Sequence, residues 1–152
     1  MSTIKEKIIR YCQYQERCHK EVKNKLYELG AHSEEVEQLL CTLLELGLID
    51  EQRFAESYTR GKFRIKQWGK NKIVTGLKQL QISPYCIQKG LAQIEEQEYL
   101  ETLEKLAYKK LNLLKKEKNP FLLKKQLFQY LYQKGYESEL IQEEINKIFL
   151  KA

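Results

Sequence analysis

The apolar positions of this chain repeat in three copies. Aligning Gly30, Gln81 and Gly135 superposes three segments at intervals of 51 and 54 residues. In that register Val22, Ile73 and Leu127 coincide, as do Leu26, Leu77 and Leu131. Beyond the turn the match continues through Val36, Ile87 and Ile141, then Leu40, Leu91 and Ile145, then Leu43, Ile94 and Ile148. Steps of four before the turn, and of four and three after it, are helical steps, so each copy holds two helices joined by a short turn. A leading helix completes each copy. The first runs from Ile4 to Gln15 with Ile8, Ile9 and Cys12 inward, and the second from Glu51 to Lys66. The third is longer, from Glu95 to Lys116, and carries Leu100, Leu103, Leu106, Leu111 and Leu114.

The pattern predicts an all-α chain of three tandem three-helix repeats, over 1–48, 49–94 and 95–152, with no sheet. One such repeat has little apolar surface to bury alone, so neighbours must stack, and the expected form is an elongated, curved array. The turn residues agree. Gly30 and Gly135 suit the left-handed residue that ends a helix, Gly47 stops a third, and Asp50 can cap the helix that follows it. Ser33 and Ser83 suit caps, Pro84 the first helical position, and Asn119-Pro120 the break before the last pair. Gln81 stands where the other two copies have glycine, so the central turn must close differently or accept strain.

Composition supports helix, with two prolines, seven glycines and 42% apolar residues, enough for a core. No apolar run approaches the ~20 residues of a membrane span, and the first ten residues lack a signal-peptide core, so a cytoplasmic location without membrane contact is expected. Cys12, Cys18, Cys41 and Cys86 have no recognised ligand spacing. Cys12, Cys41 and Cys86 fall on helical apolar positions, where a thiol acts as a small hydrophobe; zinc held by Cys12, Cys18 and His19 is the competing reading. Gly69-Lys70 is no phosphate loop, because no glycine lies five residues earlier and Asn71 stands where Ser or Thr would bind magnesium. His19 and His32 have no Ser or Cys partner at a catalytic spacing. The expectation is a protein without enzymatic activity, metal or cofactor.

Charge singles out two stretches in a chain of net charge +6. Residues 51–80 carry eight basic side chains against two acidic: Arg53, Arg60, Lys62, Arg64, Lys66, Lys70, Lys72 and Lys78. Residues 105–125 carry eight against one, among them Lys109, Lys110, Lys116, Lys124 and Lys125. The first repeat and residues 95–104 are acidic by contrast. On the helix from Glu51, Phe54, Tyr58, Gly61 and Ile65 share one stripe, and Arg53, Arg60 and Arg64 a second row about 100° away. Three of the chain's five arginines lie in that row, and a guanidinium can grip phosphate or carboxylate through two parallel hydrogen bonds. The lysines of 105–125 read either as a solvated face or as a second contact surface. Phe63, opposite Phe54, either packs on a neighbouring repeat or is an exposed aromatic. Trp68, followed by Gly69 at a sharp bend, reads as a wedge between two helices.

The run GLIDEQRFAESY from Gly47, the basic run after it, WGKNKI from Trp68 and the Leu-Lys-Gln-Leu segment ending at Leu80 together resemble the central motif of the RecX family, regulators of the RecA recombinase. The resemblance extends from about Ile8 to Phe149. It implies a protein built from three-helix repeats that binds within the groove of the RecA–DNA filament, restrains ATP hydrolysis and strand exchange, and has no catalytic activity of its own. Where the family tends to use arginine this chain uses lysine, and where the family's last repeat has an Arg-Gly-Phe turn this chain has Lys134-Gly135-Tyr136. A plain nucleic-acid-binding protein and a helical protein–protein scaffold are the alternatives that composition and periodicity leave open. On the family reading the partners are the RecA filament and single- or double-stranded DNA, the latter bound weakly on its own, with the chain a monomer. The contact residues expected are Arg53, Arg60, Lys62, Arg64, Lys66, Lys70, Lys72, Lys109, Lys110, Lys116, Lys124 and Lys125.

Overall fold

A computed structural model describes residues 2–150, and among them it has nine helices and no strand. In chain order these are α1 (Ile4–Tyr14), α2 (His19–Glu28), α3 (Ser33–Glu45), α4 (Glu51–Arg64), α5 (Lys70–Gln79), α6 (Pro84–Leu91), α7 (Glu96–Leu113), α8 (Pro120–Gln133) and α9 (Ser138–Leu150). The three tandem trios that the periodicity predicts are present.

Local chemistry fixes the helix ends. Asp50 Oδ1 accepts from the Arg53 amide at 2.9 Å, Ser83 Oγ from Cys86 at 3.2 Å and Asn119 Oδ1 from Phe121 at 3.0 Å, while Pro84 and Pro120 open their helices. Ser33 does not cap. The residue before α3 is His32, whose side chain makes no cap bond, and Ser33 is already helical.

The same helix-ending motif occurs at all three aligned turns. The amides of Gly30 and Ala31 donate to the carbonyls of Tyr27 and Leu26, those of Gln81 and Ile82 to Lys78 and Leu77, and those of Gly135 and Tyr136 to Tyr132 and Leu131. The residue in the left-handed conformation has φ of 95° at Gly30, 62° at Gln81 and 101° at Gly135. Gln81 thus accepts the strain. A side chain in that conformation costs about 1–2 kcal/mol, partly offset by glycine's larger unfolded-state entropy. Gln81→Gly is therefore expected to stabilise the chain by about 0.5–1 kcal/mol in a denaturant titration. Ala31, Ile82 and Tyr136, which follow the turn residue, are all buried and form a sixth aligned column.

Fourteen of the fifteen residues in the five aligned columns are buried, and Leu91 is half-buried. Leu77 has no exposed surface, so Leu77→Ala is expected to cost about 2–5 kcal/mol on unfolding.

The chain packs as two compact units, Met1–Tyr58 with Leu77–Ala92, and Thr59–Gly76 with Gln93–Ala152. In the first, α2 packs on α1 and α3 around Ile8, Cys12, Val22, Leu26, Val36, Leu40 and Leu43. In the second, α7, α8 and α9 pack on one another, and Phe63, Ile73, Tyr99, Leu103, Leu127, Leu131 and Ile141 are buried.

This grouping corrects several side-chain expectations. Ile65 is not on a buried stripe: α4 ends at Arg64, and Ile65 is 81% exposed. Phe63 takes the first of its two expected roles: it is buried, with its ring centroid 5.8 Å from that of Tyr99. Leu100 is exposed and Tyr99 takes the core position on α7. Cys41 is exposed too, while Cys18 is fully buried. Burial pushes the Cys18 thiol up to about 11.

Candidate functional site

The second unit is organised around a crossing of two turns. Residues 65–69 join α4 to α5, and residues 134–137 join α8 to α9. The Gly69 amide donates to the Lys134 carbonyl at 2.7 Å and the Asn71 amide to the Gly135 carbonyl at 2.9 Å. Tyr136 Oη donates to the Gln67 carbonyl at 3.0 Å, and Lys134 Nζ to that of Lys66 at 3.1 Å. Only glycine fits at either crossing point. A Cβ on Gly69 would lie 2.3 Å from Gly135 C and Tyr136 N, and one on Gly135 would lie 2.3 Å from Lys72 Cβ.

Beneath the crossing, Tyr99 stacks on Tyr136 with ring centroids 5.1 Å apart. Its phenol oxygen accepts from the Lys70 amide at 2.9 Å and donates a short hydrogen bond to the Glu137 carboxylate. Burial drives the phenols of both Tyr99 and Tyr136 well above their ordinary range, which keeps them neutral donors. One buried tyrosine thus ties the start of α5 to the residue before α9.

Lysines gather at this crossing. The Lys134 ammonium is pushed below its ordinary value, first by burial and then by the positive charges of Lys72, Lys109 and Lys66. Lys66 and Lys72 come from the first basic stretch and Lys109 from the second, so the two runs meet here. Lys62 and Lys72 place their ammonium groups 4.9 and 4.7 Å from the Trp68 ring centroid, and Lys70 sits 4.8 Å from that of Tyr99. Trp68 is half-buried and serves as a plate for two lysines, beyond the wedge its sequence context suggested. The field of like charge around Lys134 favours an anionic partner at this crossing. A groove of about 290 Å³ lies beside it, lined by Asn71, Lys72, Thr75, Tyr132, Gln133 and Gly135.

The remaining expected contact residues are dispersed. Arg60 donates to Gln93 Oε1 at 2.9 Å, and Arg64 is exposed at the end of α4. Lys110 lies 4.9 Å from the Tyr130 ring, and Lys116 is exposed in the loop after α7. Lys124 and Lys125 line a different groove, on α8. Arg53 belongs to the first unit, where its guanidinium donates to both Glu16 carboxylate oxygens at 2.7 and 2.8 Å and to the Gly47 carbonyl at 2.9 Å. That carboxylate raises the Arg53 pKa above its ordinary value. Arg53, Arg60 and Arg64 lie along the one helix α4, but Arg53 is already engaged by Glu16 within the first unit. Lys134 was missed because it is the sole cation in residues 126–137. Its signal was the Lys-Gly-Tyr turn aligned with Gly30 and Gln81.

Among the described residues no cluster of His, Cys, Asp or Glu has the arrangement to hold a metal ion, and no helix is long and apolar enough to cross a membrane.

Models of the second and third three-helix domains of RecX match residues 50–91 and 96–145. Regulatory protein RecX of Clostridium perfringens strain 13 is 33% identical over 122 residues, 80% of this chain and 57% of that protein. The chain thus spans little more than half the length of that relative. The crystal structure of RecX from Lactobacillus salivarius matches with a TM-score of 0.84 at 25% identity, covering 97% of this chain and 95% of the other. A crystal structure of regulatory protein RecX matches with a TM-score of 0.83 at 27% identity, covering 91% and 68%. Two successive domain models and the nine-helix architecture agree, and this chain belongs to the RecX family.

Proposed function

We propose that this chain regulates the RecA recombinase by docking on its DNA filament, where it restrains ATP hydrolysis and strand exchange. The partner follows from membership of a family whose proteins are named regulatory protein RecX. The observation that carries the mode of binding is the convergence of Lys66, Lys72, Lys109 and Lys134 at the crossing of the two turns. Lysine ammonium groups neutralise phosphate as point charges, and phosphate contacts carry no sequence information, which suits a protein that must act on a filament whatever sequence it covers. On this reading residues 49–94 and 95–152 are the repeats that supply the contact and residues 1–48 the repeat that precedes them. The chain acts as a monomer in the cytoplasm, without catalysis.

The same lysines would also serve a plain nucleic-acid binder, and a binding comparison separates the two. Affinity is measured for bare single-stranded DNA and for RecA assembled on that DNA. The filament is expected to bind at least about tenfold more tightly, roughly 1.4 kcal/mol. Bare strands should lose roughly fiftyfold in affinity between 50 and 200 mM salt if four phosphates are neutralised. Equal affinity for strand and filament would assign the chain to the plain binders.

A further inference from the structure

Helix α8 carries apolar side chains on two faces, one fully covered and one only in part, where Phe128 is half-buried against Tyr132. Leu127 and Leu131 have no exposed surface. Phe121 and Phe128, seven residues apart and so on one stripe, lie about 90° away from that pair. They open onto a groove of about 560 Å³ whose other wall is α9, through Gln142 and Ile145. Phe121 is 72% exposed. Lys124 and Lys125 stand on the same stretch of α8, and no carboxylate lines the groove. It continues into a smaller recess formed by Lys124, Asn146, Phe149 and Leu150, with the Lys124 ammonium 5.1 Å from the Phe149 ring.

We propose that this groove is a docking site for an acidic amphipathic helix of a protein partner. Phe121 to Phe128 spans about 10 Å, two helical turns, which matches a partner helix presenting apolar residues at i, i+3 and i+7. The walls supply apolar contact and two cations without a compensating carboxylate, so the flanks of the incoming helix must be acidic. The groove is a concavity between two helices, a shape that receives a helix ridge better than a lipid surface. It is separate from the lysines at the turn crossing, and the inference does not depend on the recombinase reading.

The test uses the full chain and a fluorescein-labelled fourteen-residue peptide with leucine at i, i+3, i+7 and i+10 and glutamate elsewhere, beside the same peptide with lysine for glutamate. The acidic peptide is expected to bind saturably with a dissociation constant below about 100 μM, and added salt to weaken it. The basic peptide should not bind. Phe121→Ser and Lys125→Glu, both at exposed positions, should each weaken binding at least about fivefold with an unchanged circular dichroism spectrum. Equal binding of the two peptides, or indifference to both substitutions, would overturn the proposal. So would anionic vesicles binding where the peptide does not, or a dimer in sedimentation that Phe121→Ser dissolves.

Discussion

Gly69→Ala and Gly135→Ala should each destabilise the second unit by at least about 3 kcal/mol, the largest stability effect expected of any single methyl group in this chain. The added Cβ at Gly69 would fall 2.3 Å from two backbone atoms of the opposing turn. Backbone cannot rotate away as a side chain can. Relief requires separating the turns, which breaks the bonds from Gly69 to Lys134 and from Asn71 to Gly135 and uncovers Tyr99 and Tyr136. Gly135 adds a second cost, since its φ of 101° is one that L residues rarely adopt. Gly30 makes the comparison clean. It has a similar φ of 95°, but nothing lies within 4 Å of an added Cβ, so Gly30→Ala should cost only about 1 kcal/mol. Urea titrations of the three variants report this directly. Equal losses at Gly30 and Gly135 would show that backbone conformation, and not the close approach of the turns, sets the requirement for glycine at Gly135.

The largest effect on binding is expected from the four lysines that meet at that crossing. Replacing Lys66, Lys72, Lys109 and Lys134 together with glutamine keeps about half of each side-chain stem and removes four charges. Affinity for single-stranded DNA should fall at least about thirtyfold, roughly 2 kcal/mol. The slope of log affinity against log salt should flatten by about 0.7 for each phosphate that is no longer neutralised. Arg53→Gln is the control. The Arg53 guanidinium is engaged by Glu16 and Gly47 within the first unit, so its removal should leave both quantities unchanged and cost at most about 1 kcal/mol of stability. A fall in affinity with an unchanged slope in the lysine variant would mean that those side chains do not touch phosphate.

The contrast between Arg53 and Lys134 shows what one-dimensional reading can and cannot reach. Helices were legible because the buried columns at Val22, Ile73 and Leu127, and at Leu26, Leu77 and Leu131, recur at the same offset from the same turn. A period survives in the sequence, and so does the left-handed residue that closes it, even where Gln81 replaces glycine. Helix α4 was harder. A helical wheel assumes one buried face, but Phe54 is buried in the first unit and Phe63, about 180° away, in the second. The stripe drawn through Phe54 therefore led to Ile65, which is exposed. Arg53, Arg60 and Arg64 share α4, but Arg53 is engaged by Glu16 in the first unit, while Arg60 and Arg64 lie in the second.

Charge runs mark where lysines are frequent, not where they meet. Lys66, at the first turn, and Lys109, on α7, both act electrostatically on Lys134, a residue in no run at all. The crossing has a further consequence for dissecting the chain. Deleting residues 95–152, which would otherwise test whether the third repeat contributes to binding, also removes Tyr99 from Phe63 and the turn that holds Gly69. Point substitution of the lysines leaves the core intact and is the better probe.

On the proposed function, the lysines at this crossing hold the chain on a recombinase filament and so restrain it. The most direct measurement is steady-state ATP hydrolysis by RecA assembled on single-stranded DNA, titrated with the wild-type chain and with the variant carrying glutamine at Lys66, Lys72, Lys109 and Lys134. The wild type is expected to lower the rate saturably, and the folded variant to need at least about tenfold more protein for half the effect. A wild-type chain that leaves hydrolysis unchanged, or a variant that suppresses it at the same concentration as the wild type, would contradict the claim.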